Sequence, residues 1–293
     1  MPLFKRPDGD LVRDESPVRS IMPYIMRGRN ESVIYHEAIY DITRARAFLR
    51  AYNHEHDCEQ PATLFHLFLW ACAQALAARP GLNRFVSGGR FYQRKGMFLS
   101  FAAKKEISDE APLVTVKLEF FKDEPFAECV KRIVGAIREG RGAGERNVDK
   151  ELKLAMKLPG PVLSAVMSFL QWLDRINLMP KWMIDSDPMY TSLFVTNLGS
   201  VGLDRTYHHL YEYGTAAMFA VLGVPRKQVM PDRAGNSVVK DVLEVRWTLD
   251  ERVNDGLYCA NALGLFKKIF ESPEAYVRAP AAAAAPVHAQ RTA

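Results

Sequence analysis

The chain has 293 residues, 48% of them hydrophobic and 25% charged, which is enough for one large domain with a sizeable core. Its net charge of +5 is spread along the sequence instead of gathering into a Lys/Arg stripe, which suits anionic ligands and argues against nucleic acid. No uninterrupted apolar run approaches the roughly 20 residues of a membrane-spanning helix, so no integral membrane segment is expected.

The N-terminus is polar and lacks the apolar centre of a secretory signal. Cys58, Cys72, Cys129 and Cys259 lie far apart and read as reduced thiols, so a cytoplasmic location is expected.

Residues 1–30 are rich in arginine and proline with little periodicity, and are expected to be an arm ordered by lying on something else. The folded domain is expected over residues 31–278. A strand around Val33–Tyr40 leads into a helix capped by Asp41 or Thr43. PATLFHLFLWACAQALAARPGLN predicts a central helix, apolar on nearly every side, that stops before Pro80-Gly81.

FYQRKGMFLSFAAKK and PLVTVKLEFFKD predict strands. In the second, Val114, Val116, Leu118 and Phe120 alternate with Thr115, Lys117 and Glu119. PFAECVKRIVGAIREG places Phe126, Val130, Ile133, Val134 and Ile137 on one helical face, and a charged loop follows. The stretch Leu158–Ile184 is too apolar all round for a free surface helix. It is expected to pack in the core or at a subunit contact; an acyl-chain pocket and an interfacial membrane contact are the sharper readings.

From Thr191 the order is a strand (TSLFVTNLG), a polar aromatic segment (LDRTYHHLYEYG), a buried strand (AAMFAVLGVP), a hairpin turn and a long alternating strand. A polar turn, Asp250-Glu251-Arg252-Val253-Asn254-Asp255-Gly256, then opens a final helix that runs to about Pro273. Residues 279–293 form an Ala/Pro tail expected to be disordered. Strands and helices mixed around one core predict an α/β sandwich.

Three groups of residues carry candidate chemistry. Thr196-Asn197-Leu198-Gly199-Ser200-Val201-Gly202 is a strand breaking into glycines, which by itself is an ordinary turn. The Asp250–Gly256 turn reads as a site, or as a loop held by an Arg252–Asp255 salt bridge. His208-His209 reads either as a pair of half-buried histidines bonded to backbone carbonyls or as a source of a base. His54-x-His56-x-Cys58 has too little ligand spacing to argue for a metal, and none is expected.

The two turn motifs together resemble the catalytic domain of the dihydrolipoyl acyltransferases of 2-oxo acid dehydrogenase complexes. In that family Asp-His-Arg-x-x-Asp-Gly is preceded by Ser/Thr-Ser/Asn-Leu-Gly-x-x-Gly. SPVRSIMPYIMRGRNES, YDIT, ALAARPGLNRFV and LFKKIFESPE are similar to other segments of the family, so the resemblance spans most of residues 16–275. Chloramphenicol acetyltransferase shares the family's fold.

The resemblance implies a two-layer, trimer-forming α/β sandwich with a mixed sheet, whose active sites form between subunits, sometimes in cubic 24-mers. It also implies coenzyme A, as acyl-CoA, for co-substrate. In the family the motif histidine takes the proton of a thiol, and a hydroxyl from a neighbouring subunit stabilises the tetrahedral oxyanion. Thr196 keeps that hydroxyl, and Asp255 and Gly256 match the structural aspartate and the turn glycine. Arg19 is the candidate partner of that aspartate; Asn197, Gly199, Asp250 and Arg252 complete the frame. The histidine position holds Glu251.

Glu251, His208 or His209 would then be the base of an acyl transfer to a thiol, amine or hydroxyl acceptor. The alternative is an inactive homologue that builds a trimeric or 24-meric shell. The family's lipoyl and subunit-binding domains are not in this sequence, which argues against ordinary service in a dehydrogenase complex.

Overall fold

The computed structural model describes residues 4–56, 60–104, 113–142, 156–232 and 234–277. Strand β1 (Gly9–Leu11) and helix α1 (Pro17–Ile25) come before β2 (Val33–Asp41), α2 (Thr43–Glu55) and α3 (Leu64–Ala78). The hairpin β3 (Arg84–Ser87) and β4 (Arg90–Arg94) leads to β5 (Met97–Lys104) and β6 (Leu113–Phe120). Helices α4 (Phe126–Gly142), α5 (Gly160–Arg175) and α6 (Lys181–Ser186) follow. Strands β7 (Leu193–Asn197), β8 (Met218–Leu222), β9 (Arg226–Pro231) and β10 (Ser237–Asp250) precede α7 (Gly256–Glu271) and α8 (Glu274–Val277). The charged stretch 143–155 and the Ala/Pro tail lie outside the described residues.

Apolar alternation dictates the main sheet. Val245, Trp247 and Leu249 of β10 point to one face, where they meet Phe68 of α3 and Phe266 and Phe270 of α7 in the main core. The indole of Trp247 donates to the Tyr40 hydroxyl at 3.0 Å, so the polar tip of a buried ring is satisfied. The strand order is β2-β10-β8-β7-β5-β6, with β9 beside β10; β7 runs parallel to β5 and β8, and the other pairs are antiparallel. This mixed sheet with its core helices on one face is the α/β sandwich expected from the sequence. On the opposite face α6 lies by β6, where Lys117 donates to Ile184 O at 2.6 Å, and among the described residues no helix covers β8 and β7. There Phe194, Phe219 and Val221 pack against Leu210 of an irregular segment that crosses the sheet.

The N-terminal arm lies on its own chain. Strand β1 pairs with β4, which pairs with β3. Arg6 is buried, with Nη2 2.8 Å from the Asp174 carboxylate, Nε 2.7 Å from Asp8 and Nη1 3.1 Å from Ser87 Oγ. An arginine at that depth is held by these charges and by the face of Phe85, 4.8 Å from the guanidinium.

Helix α5 does not pack in the core of its own chain. Of its residues only Asp174 is buried, while Val162, Val166, Phe169 and Trp172 form an exposed apolar stripe, Phe169 and Trp172 stacked at 5.8 Å. Helix α1 exposes Val18, Ile21, Tyr24 and Ile25 in the same way. Both helices end on the β3–β4 turn: Gly89 lies against Tyr24, and Gly88 against the carbonyl of Arg175. No helix among the described residues is long and apolar enough to cross a membrane.

Candidate functional site

The Asp250–Asp255 turn is fixed from several sides. Its strand end is held by Asp250 N donating to Ala217 O at 3.0 Å and Glu251 N donating to Ser32 O at 2.8 Å. The buried Asp250 carboxylate accepts from Ser32 Oγ at 3.0 Å, and from Arg252 through its backbone N, Nε and Nη2 at 3.1, 2.9 and 2.7 Å. Arg252 Nη1 continues to the carbonyls of Met26 and Arg27. The pairing within the turn is therefore Arg252–Asp250, in place of the expected Arg252–Asp255. Asp255 faces solvent and caps α7, accepting from Tyr258 N at 2.7 Å, a favourable place for a carboxylate. The buried Asn254 donates to Gly81 O at 2.8 Å.

Glu251 is half-buried, and no hydrogen bond or ion pair engages its carboxylate among the described residues. Arg19, on α1, donates to the Glu251 carbonyl at 3.3 Å; among the described residues no ion pair joins Arg19 to Asp255. Gly256 starts α7 with nothing near its Cβ position.

Three residues that the sequence did not single out complete the frame. Arg29 is buried and donates to the carbonyls of Tyr211 and Glu212 at 3.2 and 2.7 Å. The Glu212 carboxylate accepts from the backbone of Arg29 and Asn30 at 3.0 and 2.9 Å. Burial alone would raise the Glu212 pKa, but those N–H bonds and the Arg29 charge hold it below its ordinary value. Ser32 is the third. Together these groups tie the turn to the segment crossing the other face of the sheet.

Thr196 lies at the end of β7 on the face opposite the core helices, alternating with Val195 of the main core. Past it the chain tightens into a single 3-10 turn over Leu198–Val201, where Asn197 Oδ1 accepts from Ser200 N at 3.3 Å. Gly199 is required here: a Cβ would stand 2.1 Å from Gly223 O. Gly202 closes the turn at φ +79°.

His208 and His209 belong to the crossing segment. The ring of His208 stacks on Phe219 with centroids 3.9 Å apart, and its Nδ1 is 2.7 Å from His209 O. His209 Nδ1 is 2.8 Å from Leu210 O. His54 and His56 end α2, and Cys58 lies outside the described residues. Among the described residues no cluster of three metal-ligating side chains occurs.

The register separates the two motifs. Thr196 pairs with Val221, and Val221 with Arg246, so all three share one row across the sheet. Asp250 is four residues further along β10, about 13 Å away along the strand direction, with Glu251 beyond it. Thr196 and Glu251 of one chain therefore stand more than about 13 Å apart, across two strand spacings and four residues of register. A single site can combine them only when a second copy brings its Glu251 turn to the Thr196 face of the first.

Comparison with known proteins fits these observations. Residues 186–278, which hold both motifs, match the family described as 2-oxoacid dehydrogenases acyltransferase (catalytic domain). The lipoamide acyltransferase component of the branched-chain alpha-keto acid dehydrogenase complex of Bacillus subtilis (strain 168) is 26% identical over 211 residues, 72% of this chain. The chain spans only 39% of that relative's length. The cubic core of a pyruvate dehydrogenase multienzyme complex superposes with a TM-score of 0.59 at 13% identity, covering 90% of this chain and 93% of the other. A chloramphenicol acetyltransferase gives 0.54 at 13% identity, covering 90% and 98%. Both likenesses are likenesses of fold. The family match is confined to residues 186–278, and over the whole described chain the likeness is one of fold, the chloramphenicol acetyltransferase-like sandwich.

Proposed function

We propose that the protein transfers an acyl group from a coenzyme A thioester to a thiol, amine or hydroxyl acceptor, at sites shared between copies of the chain. The observation that carries this is the separation of Thr196 from the Glu251 turn: both motifs keep their frames, and only a neighbouring copy can bring them together. The Thr196 hydroxyl would donate to the thioester oxygen as it gains negative charge. The acceptor's proton has two destinations, Glu251 of the second copy or the His208-His209 pair. A trimer is the smallest assembly of the fold that we propose, and a cubic shell built from trimers is its extension.

The test is release of CoA from several acyl-CoAs with thiol, amine and hydroxyl acceptors, for wild type, Thr196→Ala, Glu251→Ala and Glu251→His. Turnover in wild type that Thr196→Ala lowers at least tenfold supports the reading. A second reading, a catalytically inactive shell, is favoured by the glutamate at the motif histidine's position. It predicts intact assemblies by native mass spectrometry, no turnover in wild type and turnover gained in Glu251→His.

A further inference from the structure

The segment Asp204–Tyr213 lays an aromatic lining over the sheet face opposite the core helices. His208 is its most constrained member. Its ring is within 5° of parallel to Phe219, and Phe219 stacks on Phe194 at 5.1 Å. Thr196 follows Phe194 by two residues on β7, so its hydroxyl and the His208 imidazole share one face of the sheet. Glu251 of the same chain does not.

Two bonds orient the imidazole further. Thr248 Oγ1 donates to the carbonyl of His208, fixing the backbone beneath the ring. His208 Nδ1 is 2.7 Å from the carbonyl of His209. A carbonyl oxygen only accepts, so Nδ1 carries the hydrogen and Nε2 keeps its lone pair. No described residue bonds Nε2, and the ring is half-buried. A rigid ring with one committed nitrogen and one free lone pair is the state a general base requires before the acceptor arrives.

The surroundings keep that lone pair unprotonated. Burial pulls the His208 pKa below its ordinary value; the carbonyl of His209 opposes this, and the charge of His209 adds to it. The rings against it are His209 and Tyr211 of its own segment and Phe219 of β8, with Thr248 of β10 bonded to its carbonyl; Arg246 of β10 and Tyr35 of β2 pack on the neighbouring Tyr207. The carboxylates of that face, Glu37 and Glu244, are engaged by Arg246.

We propose that His208 is the acid–base residue of the acyl-transfer site, with Nε2 taking the acceptor's proton on the face that carries the Thr196 hydroxyl. The inference rests on the acyl-transfer reading above. As Nε2 removes the proton, the acceptor atom bonds to the thioester carbonyl carbon, and the carbonyl π pair moves to an oxygen that accepts from Thr196. That pair returns, the C–S bond breaks, and the departing CoA thiolate takes the proton from the imidazolium. The products are acylated acceptor and CoA thiol, with His208 neutral again.

The test compares kcat, KM and pH dependence of CoA release for wild type, His208→Gln and His208→Gly, the last with and without added imidazole. His208→Gln should lower kcat by about 10²–10⁴ with KM changed a few-fold. The acid limb of the wild-type profile, where rate falls as His208 is protonated, should vanish in the variant, and imidazole should restore part of the rate to His208→Gly. Wild-type turnover left within two-fold by His208→Gln would overturn the role of His208 alone. So would a loss that keeps the acid limb and ignores imidazole. No turnover in wild type would overturn the acyl-transfer reading and this inference with it.

Discussion

Arg252 grips the carboxylate of Asp250, two residues behind it, through Nε at 2.9 Å and Nη2 at 2.7 Å, with both side chains buried. The pair makes the turn's frame a folding element in its own right, closing the end of β10 on the backbone at Met26 and Arg27. Removing one charge strands the other. Asp250→Asn is expected to cost about 3–5 kcal/mol in urea unfolding. Glu251→Ala, whose carboxylate makes no hydrogen bond or ion pair among the described residues, should stay within about 0.5 kcal/mol. Equal losses for the two would refute this division of labour.

Separate variants should repair one another. Thr196→Ala removes the donor face and Glu251→Ala the turn, each in every copy of its own protein. When the two are dissociated, mixed and reassembled, some sites pair an intact face with an intact turn. If the neighbour's Glu251 turn completes the site, CoA release exceeds the sum of the separate proteins; if Thr196 and His208 of one chain suffice, it does not, and Glu251→Ala alone stays active. Thr196→Ser alone should keep most of the wild-type rate. A mixture no better than its parts would place the site within one chain.

Gly199 should tolerate no side chain. In Gly199→Ala the new Cβ would press on Gly223 O from 2.1 Å, and both neighbours are backbone, which cannot swing aside. A destabilisation of about 2–4 kcal/mol by thermal or urea unfolding is expected. Gly160→Ala, with nothing near its Cβ position, serves as the neutral control.

His66 makes stability fall with acid. It is buried at the start of α3, where its Nδ1 accepts from Thr63 N at 3.2 Å, and burial lowers its pKa from 6.5 to about 4. The folded chain therefore binds fewer protons than the unfolded chain between those values. Its contribution is complete above pH 6.5 and fades as pH falls toward 4, by about 3 kcal/mol at most. Unfolding free energies at pH 7, 5.5 and 4.5 should show a steeper decline in wild type than in His66→Gln. Parallel curves would exclude His66 as the source.

Much of this was legible because it is written locally. The two-residue alternation at Val245, Trp247 and Leu249 predicts β10, the all-round apolar run predicts the buried α3, and the two turn motifs point to the family. Partnership across the fold was not legible. Arg252 has a carboxylate two residues before it and another three residues after; only the seating of Ser32 beside Asp250 decides between them. The separation of Thr196 from Glu251 depends on strand order, which no local pattern encodes. Helix α5 read as core or subunit contact because hydrophobicity reports a wish to be covered, without naming the cover. Residues 1–30 read as an arm lying on something else, and what Arg6 lies on was not legible because Ser87 and Asp174 are remote in sequence.

That dispersal bears on how the chain is made. Among the described residues strand β2 pairs with β10 alone, some two hundred residues later, and Arg6 waits for Asp174. During synthesis at about 5–20 residues per second, the early segments spend on the order of ten seconds or more without their mates. The exposed apolar faces of β2 and α1 emerge first and are open throughout that interval. Contacts this remote in sequence also make for slow closure. Helper proteins that shield nascent apolar strands should therefore matter to the yield of this protein more than its final stability would suggest.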